Sequence, residues 1–201
     1  MIPAMTKHLK PSAVCIYCAS SADVSERIRE DGRRVGALLA ENGLDLVYGG
    51  TTCGLMKVVA DAHKTAGGRV IGIVPEFMLE RGIANADGQD ETVVVRDMAA
   101  RKTKMIERSG AFIVLPGGMG TLDELFDTLV NKQLGRHAKP IVLMNTDGYY
   151  NPLIEFMKHG IECRTIRAEH LSLFSVAQTP EEAIRLLAES KVDEKSLKMR
   201  G

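Results

Sequence analysis

The sequence predicts an α/β protein built on an open parallel sheet with helices on both faces. Three observations lead there. Short apolar runs alternate with longer stretches of helical periodicity, the pattern of parallel βαβ units. Several runs are continuously apolar rather than alternating, as strands buried on both faces are. Two of the junctions where a run gives way to a helical pattern are rich in glycine.

Taken in order, the first run is "AVCIYC" (13–18). Cys15 and Cys18 have CxxC spacing, but positions i and i+3 of a strand point to opposite faces, and no second CxxC or Cys/His pair completes a metal site. They read as core residues. A helix over 25–41 follows, then the strand "LDLVYG" (44–49) and a helix over 55–66. "RVIGIV" (69–74) is the third strand. It leads into the polar loop "RGIANADGQDE" (81–91), whose composition is that of a mobile segment. "TVVVR" (92–96) precedes a helix over 98–108. "AFIVLP" (111–116) precedes one over 122–134, and "PIVLMN" (140–145) one over 149–160. The last helix, 180–190, opens with a Thr179 cap and proline at its first position. Residues 1–11 and 191–201 are expected to be flexible tails.

The 201 residues fit a single domain with a substantial core. Twenty-six basic residues balance 26 acidic ones, which gives no support for a nucleic-acid or membrane-surface binder. Aromatic residues make up 4% and Trp is absent, against a base-stacking platform. No apolar run approaches the roughly 18 residues of a membrane span. The start lacks the order of a signal peptide, so a cytoplasmic location is expected. The five histidines have no metal spacing, and the ten methionines read as core filler.

In an open parallel sheet, ligands bind beyond the carboxyl ends of the strands. Those ends are "CASS" (18–21), "YGGTTCG" (48–54), "RDMAARK" (96–102) and "LPGGMGTLDE" (115–124), and all four are expected along one rim. Glycines let backbone N–H groups reach a ligand, and a helix start adds free N–H groups and partial positive charge. Together they make an anion site, most often for phosphate. Neither a P-loop nor GxGxxG is present: Leu55 follows Gly54, and Asp123 follows the Gly118–Gly120 pair. Three local alternatives stay open. Thr121 and Glu124 have the spacing of a capping box. Arg101, Lys104 and Arg108 have the spacing of a solvated stripe. Ser20 and Ser21 either donate to a ligand or cap the first helix.

Four motifs, "VCIYCASS", "LVYGGTTCGLM", "RDMAARKTKM" and "LPGGMGTLDELFD", followed by "QLGRHAKPIVLMNTDGYYNPL", together resemble the LOG (Lonely Guy) family of cytokinin riboside 5′-monophosphate phosphoribohydrolases. Many members carry the older label lysine decarboxylase-like. The resemblance runs from about residue 13 to 189. It implies a Rossmann-like fold, usually a homodimer with active sites near the subunit interface. It implies hydrolysis of a purine nucleoside 5′-monophosphate, AMP or an N6-modified AMP, to free base and ribose 5-phosphate. The catalytic arginine maps to Arg101 and the catalytic glutamate to Glu124. The phosphate loop maps to residues 116–121, with Gly117, Gly118, Met119, Gly120 and Thr121 as its binding residues. Lys102, Met98, Gly49, Gly50 and Ser20 complete the expected substrate-binding set. No cofactor or metal is implied.

Breaking an N-glycosidic bond builds positive charge on the ribose and negative charge on the departing base, and a carboxylate beside the sugar either stabilises the cation or orients the attacking water. Glu124, near a helix N-terminus, is expected to stay ionised. Arg101 does not deprotonate, so it holds the nucleotide or stabilises developing negative charge. Pyridoxal phosphate would need a Schiff-base lysine with its own partners, and no lysine stands out for that. The chain departs from the family at Ala99, often His, at Asn131, often Trp, and at Gly82, often Glu, with Glu80 nearby. These departures put the lining of the site, and hence substrate preference, in question. Two other readings remain: a non-catalytic nucleotide or molybdenum-cofactor carrier on the same fold, and an interaction domain whose glycine loops are only turns.

Overall fold

The computed structural model describes residues 12–84 and 88–190, so the two expected tails lie outside the described residues. The fold is a seven-stranded sheet, parallel throughout, in the order β4-β3-β2-β1-β5-β6-β7. The strands are β1 (Ala13–Tyr17), β2 (Asp45–Tyr48), β3 (Val70–Pro75), β4 (Glu91–Val95), β5 (Ala111–Val114), β6 (Ile141–Met144) and β7 (Ser175–Ala177). The helices are α1 (Glu26–Glu41), α2 (Gly54–Thr65), α3 (Glu76–Glu80), α4 (Met98–Arg108), α5 (Met119–Gln133), α6 (Asn151–Glu162) and α7 (Pro180–Glu189). This is the Rossmann-like architecture expected from the sequence.

Each face of the sheet has its own core. Val14, Ile16 and Cys18 of the first strand and its end pack with Leu39, Val59 and Leu187 from α1, α2 and α7. Cys15 and Tyr17 pack with Met105, Leu125 and Met157 from α4, α5 and α6. The two cysteines therefore lie on opposite faces, as strand periodicity requires. Each large apolar side chain buried this way contributes about 1.5–3 kcal/mol.

The topology positions the site. The chain steps outward from β1 to β4, then α4 carries it back across the sheet to β5, beside β1. The loops leaving β1 and β5 turn to opposite faces, which opens a crevice at their carboxyl ends. On its way back, α4 packs on β1, β2 and β3 and touches α5.

Several local expectations need correction. α5 begins at Met119 rather than at residue 122, with Gly118 as N-cap and no side-chain cap bond. Thr121 and Glu124 thus lie inside the helix, and no capping box forms. Gly118 is extended, at φ −84° and ψ −155°, so the helix can start on a bare backbone. Ser25, not Ser20 or Ser21, caps α1: its Oγ accepts the Ile28 N–H at 3.3 Å. Thr179 caps α7 as expected, accepting from the Glu182 N–H at 3.2 Å. β7 and α3 were not anticipated; three and five residues are too short for periodicity to register. In the loop expected to move, Ala84 bridges to Thr51 and Gln89 Nε2 donates to the Gly50 carbonyl at 3.3 Å. Residues 85–87 lie outside the described set.

α1 and α2 meet closely because α1 presents glycine at the crossing. A Cβ on Gly36 would lie 2.4 Å from the Val59 carbonyl oxygen. Backbone cannot move aside as a side chain does. Gly36→Ala is expected to lose about 1–3 kcal/mol in urea unfolding despite alanine's better helix propensity. An unchanged midpoint would show that the helices separate freely.

Candidate active site

Arg101 is placed by α4. The helix is capped by Asp97, whose Oδ1 accepts the Ala100 N–H at 2.8 Å. Arg101 and Met105, one turn apart, face the sheet. Arg101 is only 5% exposed, so it does not belong to a solvated stripe with Lys104 and Arg108. Its Nη2 donates to the Gly49 carbonyl at 3.3 Å and stands 3.7 Å from Glu124 Oε1. Nη1 lies 3.8 Å from the Met98 sulfur. The buried Nε has no hydrogen-bond partner among the described residues. Glycine at 49 leaves room for the guanidinium: a Cβ there would fall 1.8 Å from Nη2, so Arg101 would have to shift.

Glu124 comes from the second turn of α5 and is also 5% exposed. Burial pushes its carboxyl up from 4.5 to about 7; Arg101 and Lys102 oppose the rise and Asp123 adds to it. The expectation of a permanently ionised glutamate is therefore overturned. Desolvation outweighs the helix dipole, whose influence fades beyond the first turn. The backbone under Glu124 is braced: Thr128 Oγ1 donates to its carbonyl at 2.8 Å and lies 3.0 Å from the Tyr17 hydroxyl.

The glycine loop joins β5 to α5. Ala19 N–H donates to the Pro116 carbonyl at 3.2 Å, tying the loop to the end of β1. Gly117 is packed: a Cβ would lie 2.1 Å from Thr121 Oγ1 and 2.9 Å from Ala19 N. Thr121 is buried beneath it. Gly118 and Gly120 differ, because a Cβ at either would meet nothing within 4 Å. Met119, between them, is 86% exposed.

The other expected residues divide. Met98 sits against Arg101. Lys102 Nζ bonds Asp123 Oδ1 at 2.8 Å, clasping α4 to α5 and keeping the ammonium protonated. Gly50 serves the turn: its φ is +72°, and a Cβ would lie 2.3 Å from Val74 Cγ2. Ser20 is exposed on the rim, with its carbonyl against Gly54. Of the departures, Ala99 is exposed and Asn131 Nδ2 donates to the Asp127 carbonyl at 2.8 Å. Gly82 ends α3 at φ +65°, a conformation that disfavours glutamate.

Two residues that sequence reasoning missed hold the loop. Tyr149 and Tyr150 donate hydroxyl bonds to the carbonyls of Gly117 and Leu115, each at 2.8 Å. The Asp-Gly pair before them marks a tight turn, but nothing in the sequence shows where their hydroxyls reach. Among the described residues no group of three or more His, Cys, Asp or Glu could hold a metal ion, and no helix is long and apolar enough to cross a membrane.

Comparison with known proteins places this geometry in context. A family model described as "Possible lysine decarboxylase" matches residues 56–187. The chain is 40% identical over 176 residues to the probable cytokinin riboside 5′-monophosphate phosphoribohydrolase LOGL2 of Oryza sativa subsp. japonica, covering 88% of this chain and 72% of that protein. It is 37% identical over 174 residues to the cytokinin riboside 5′-monophosphate phosphoribohydrolase LOG5 of Arabidopsis thaliana, covering 87% and 76%. Among solved structures, the molybdenum cofactor binding protein of Rippkaea orientalis superposes with a TM-score of 0.66 at 23% identity, covering 88% and 95%. That likeness speaks for the fold alone.

A carboxyl held at about 7 leaves the folded protein carrying a proton that the unfolded chain releases near 4.5. The group costs no stability below the lower value, and its full penalty is present above the upper one. Wild-type stability is expected to fall relative to Glu124→Gln across that window, by on the order of 3 kcal/mol, in urea unfolding at a series of pH values. A pH-independent difference would show that Glu124 titrates as an ordinary carboxyl.

Proposed function

The chain belongs to the family described as "Possible lysine decarboxylase", and from that membership together with the Arg101–Glu124 pair we propose that it is a phosphoribohydrolase. It hydrolyses the N-glycosidic bond of a purine nucleoside 5′-monophosphate, releasing free base and ribose 5-phosphate. The substrate is AMP, making the activity that of an AMP nucleosidase, or an N6-modified AMP of the cytokinin type. A cytoplasmic setting suits such a substrate.

The observation that carries the reading is a buried carboxyl, poised near neutral pH, beside a buried arginine at the mouth of a glycine loop. The phosphate rests on 117–121, where the first turn of α5 leaves N–H groups without helical partners. No packing contact demands glycine at 118 or 120, and close approach of a ligand accounts for both. As the bond from C1′ to the base breaks, positive charge grows on the ribose. Ionised Glu124 stabilises it and takes a proton from the attacking water, whose oxygen bonds C1′. The departing base keeps the bonding electrons and takes a proton from solvent, and Glu124 gives its own proton back to solvent, so one water is consumed per bond broken. Arg101, fixed against Gly49, supplies positive charge to the nucleotide and keeps Glu124 from rising further. A value near 7 lets Glu124 both take up and release a proton at cellular pH. Lysine decarboxylation on pyridoxal phosphate is the poorer fit at this site: Lys102 is held protonated by Asp123, and Lys132, which burial lowers to about 8, sits in the last turn of α5 with its amine on the Leu173 carbonyl.

The active assembly is a homodimer. Phe126 and Val130 on α5 and Leu134 at its end form an exposed apolar stripe that continues toward Met119 at the loop. Such a stripe is costly in water and is covered by a second copy.

Base release from AMP and from isopentenyl-AMP tests the reaction. Glu124→Gln is expected to lower kcat at least ~10²-fold with little change in KM. Binding of AMP by the wild type without release of base would overturn the hydrolase and favour a carrier. The dimer is tested by light scattering, where Val130→Glu should halve the wild-type mass. A monomeric wild type would refute it.

A further inference from the structure

We propose that Tyr149 is a positioning residue for the glycine loop: its hydroxyl holds the Gly117 carbonyl so that the Gly118 N–H faces the phosphate. The inference rests on reading 117–121 as the phosphate site.

The peptide between Gly117 and Gly118 has no Cβ on either side, so little but hydrogen bonding opposes its rotation. Its far neighbour is fixed, because the Gly118 carbonyl accepts the Leu122 N–H at 3.0 Å as α5 begins. Its own carbonyl takes the Tyr149 hydroxyl at 2.8 Å. In a trans peptide the C=O and the following N–H point in opposite directions. Fastening the Gly117 carbonyl toward Tyr149 therefore aims the Gly118 N–H away from Tyr149. Among the described residues, its two chain neighbours aside, nothing lies within 4 Å of the point where a Gly118 Cβ would stand, so there is open space beside the backbone there.

Tyr149 is itself held. Its ring meets Tyr150 edge-on, with centroids 5.1 Å apart and planes at 89°. Tyr150 is locked at both ends: its N–H donates to Asn145 Oδ1 and its hydroxyl to the Leu115 carbonyl, each at 2.8 Å. The turn that presents the pair passes through Asp147 at φ +52° and Gly148 at φ +74°. Adjacent tyrosines from the end of β6 thus fasten two carbonyls of the loop. Tyr150 does so from the core, while Tyr149 does so from the rim, where it is 45% exposed.

The test uses the full chain, with ribose 5-phosphate as the phosphate-bearing probe and adenosine as the phosphate-free one. In calorimetry, Tyr149→Phe is expected to weaken ribose 5-phosphate about 5- to 10-fold and leave adenosine unchanged, the loss of one neutral hydrogen bond. An equal loss for both probes would assign Tyr149 a general structural role and overturn the proposal, as would no loss for either. The Gly118 amide of the wild type, followed by NMR, should shift strongly on adding ribose 5-phosphate. A still resonance there also overturns the proposal, whether or not the variant folds. If ribose 5-phosphate binds as expected but AMP is never hydrolysed, the hydrolase reading falls alone. If the wild type binds no ribose 5-phosphate, both fall.

Discussion

The guanidinium of Arg101 is buried over the carboxyl end of β2, and the site is arranged around that charge. Removing a cation from water costs several kcal/mol unless partners replace the solvent. Here replacement is partial. One carbonyl accepts from it, a carboxyl stands 3.7 Å away, a methionine sulfur lies alongside, and Nε has no partner among the described residues. Glu124 is itself desolvated enough to carry a proton part of the time at neutral pH. The two buried charges offset each other only in part, since they stand 3.7 Å apart without a hydrogen bond between them.

The sheet makes this arrangement reachable. Because strand order reverses at β1 and β5, the helix that returns from β4 must cross the ends of β2 and β1 before β5 begins. That crossing brings Arg101 over Gly49. The next strand then turns directly into α5 and brings Glu124 alongside. Two residues from consecutive helices meet because one short strand separates them, and the glycine loop lies between by the same geometry.

Much of this was legible in the sequence, for physical reasons that also explain the failures. Strands such as "AFIVLP" announce themselves by continuous burial. β7, three residues at an edge, does not. The rim followed from parallelism, and the glycine loops followed from the need for bare backbone. Arg101 was ambiguous because helical spacing puts it in line with Lys104 and Arg108. What decides its burial is the absence of a side chain 52 residues earlier. The charge state of Glu124 was misread because Thr-Leu-Asp-Glu has the form of a helix start. Gly118 starts the helix instead, and the burial that desolvates Glu124 is set by tertiary packing that its neighbours in sequence do not reveal. Tyr149 was missed because a hydroxyl bonded to a main-chain carbonyl leaves no mark on the residue it holds.

The fit of Arg101 against Gly49 bears on how such a site changes over descent. The arginine fills the volume where any other residue at 49 would place its first carbon. A lineage that loses Arg101 leaves that volume vacant, and substitutions at 49 then become neutral. Once one is fixed, a returning arginine finds its first position taken and must settle elsewhere. Restoring the charge over β2 as it stands now then needs a change at 49 as well.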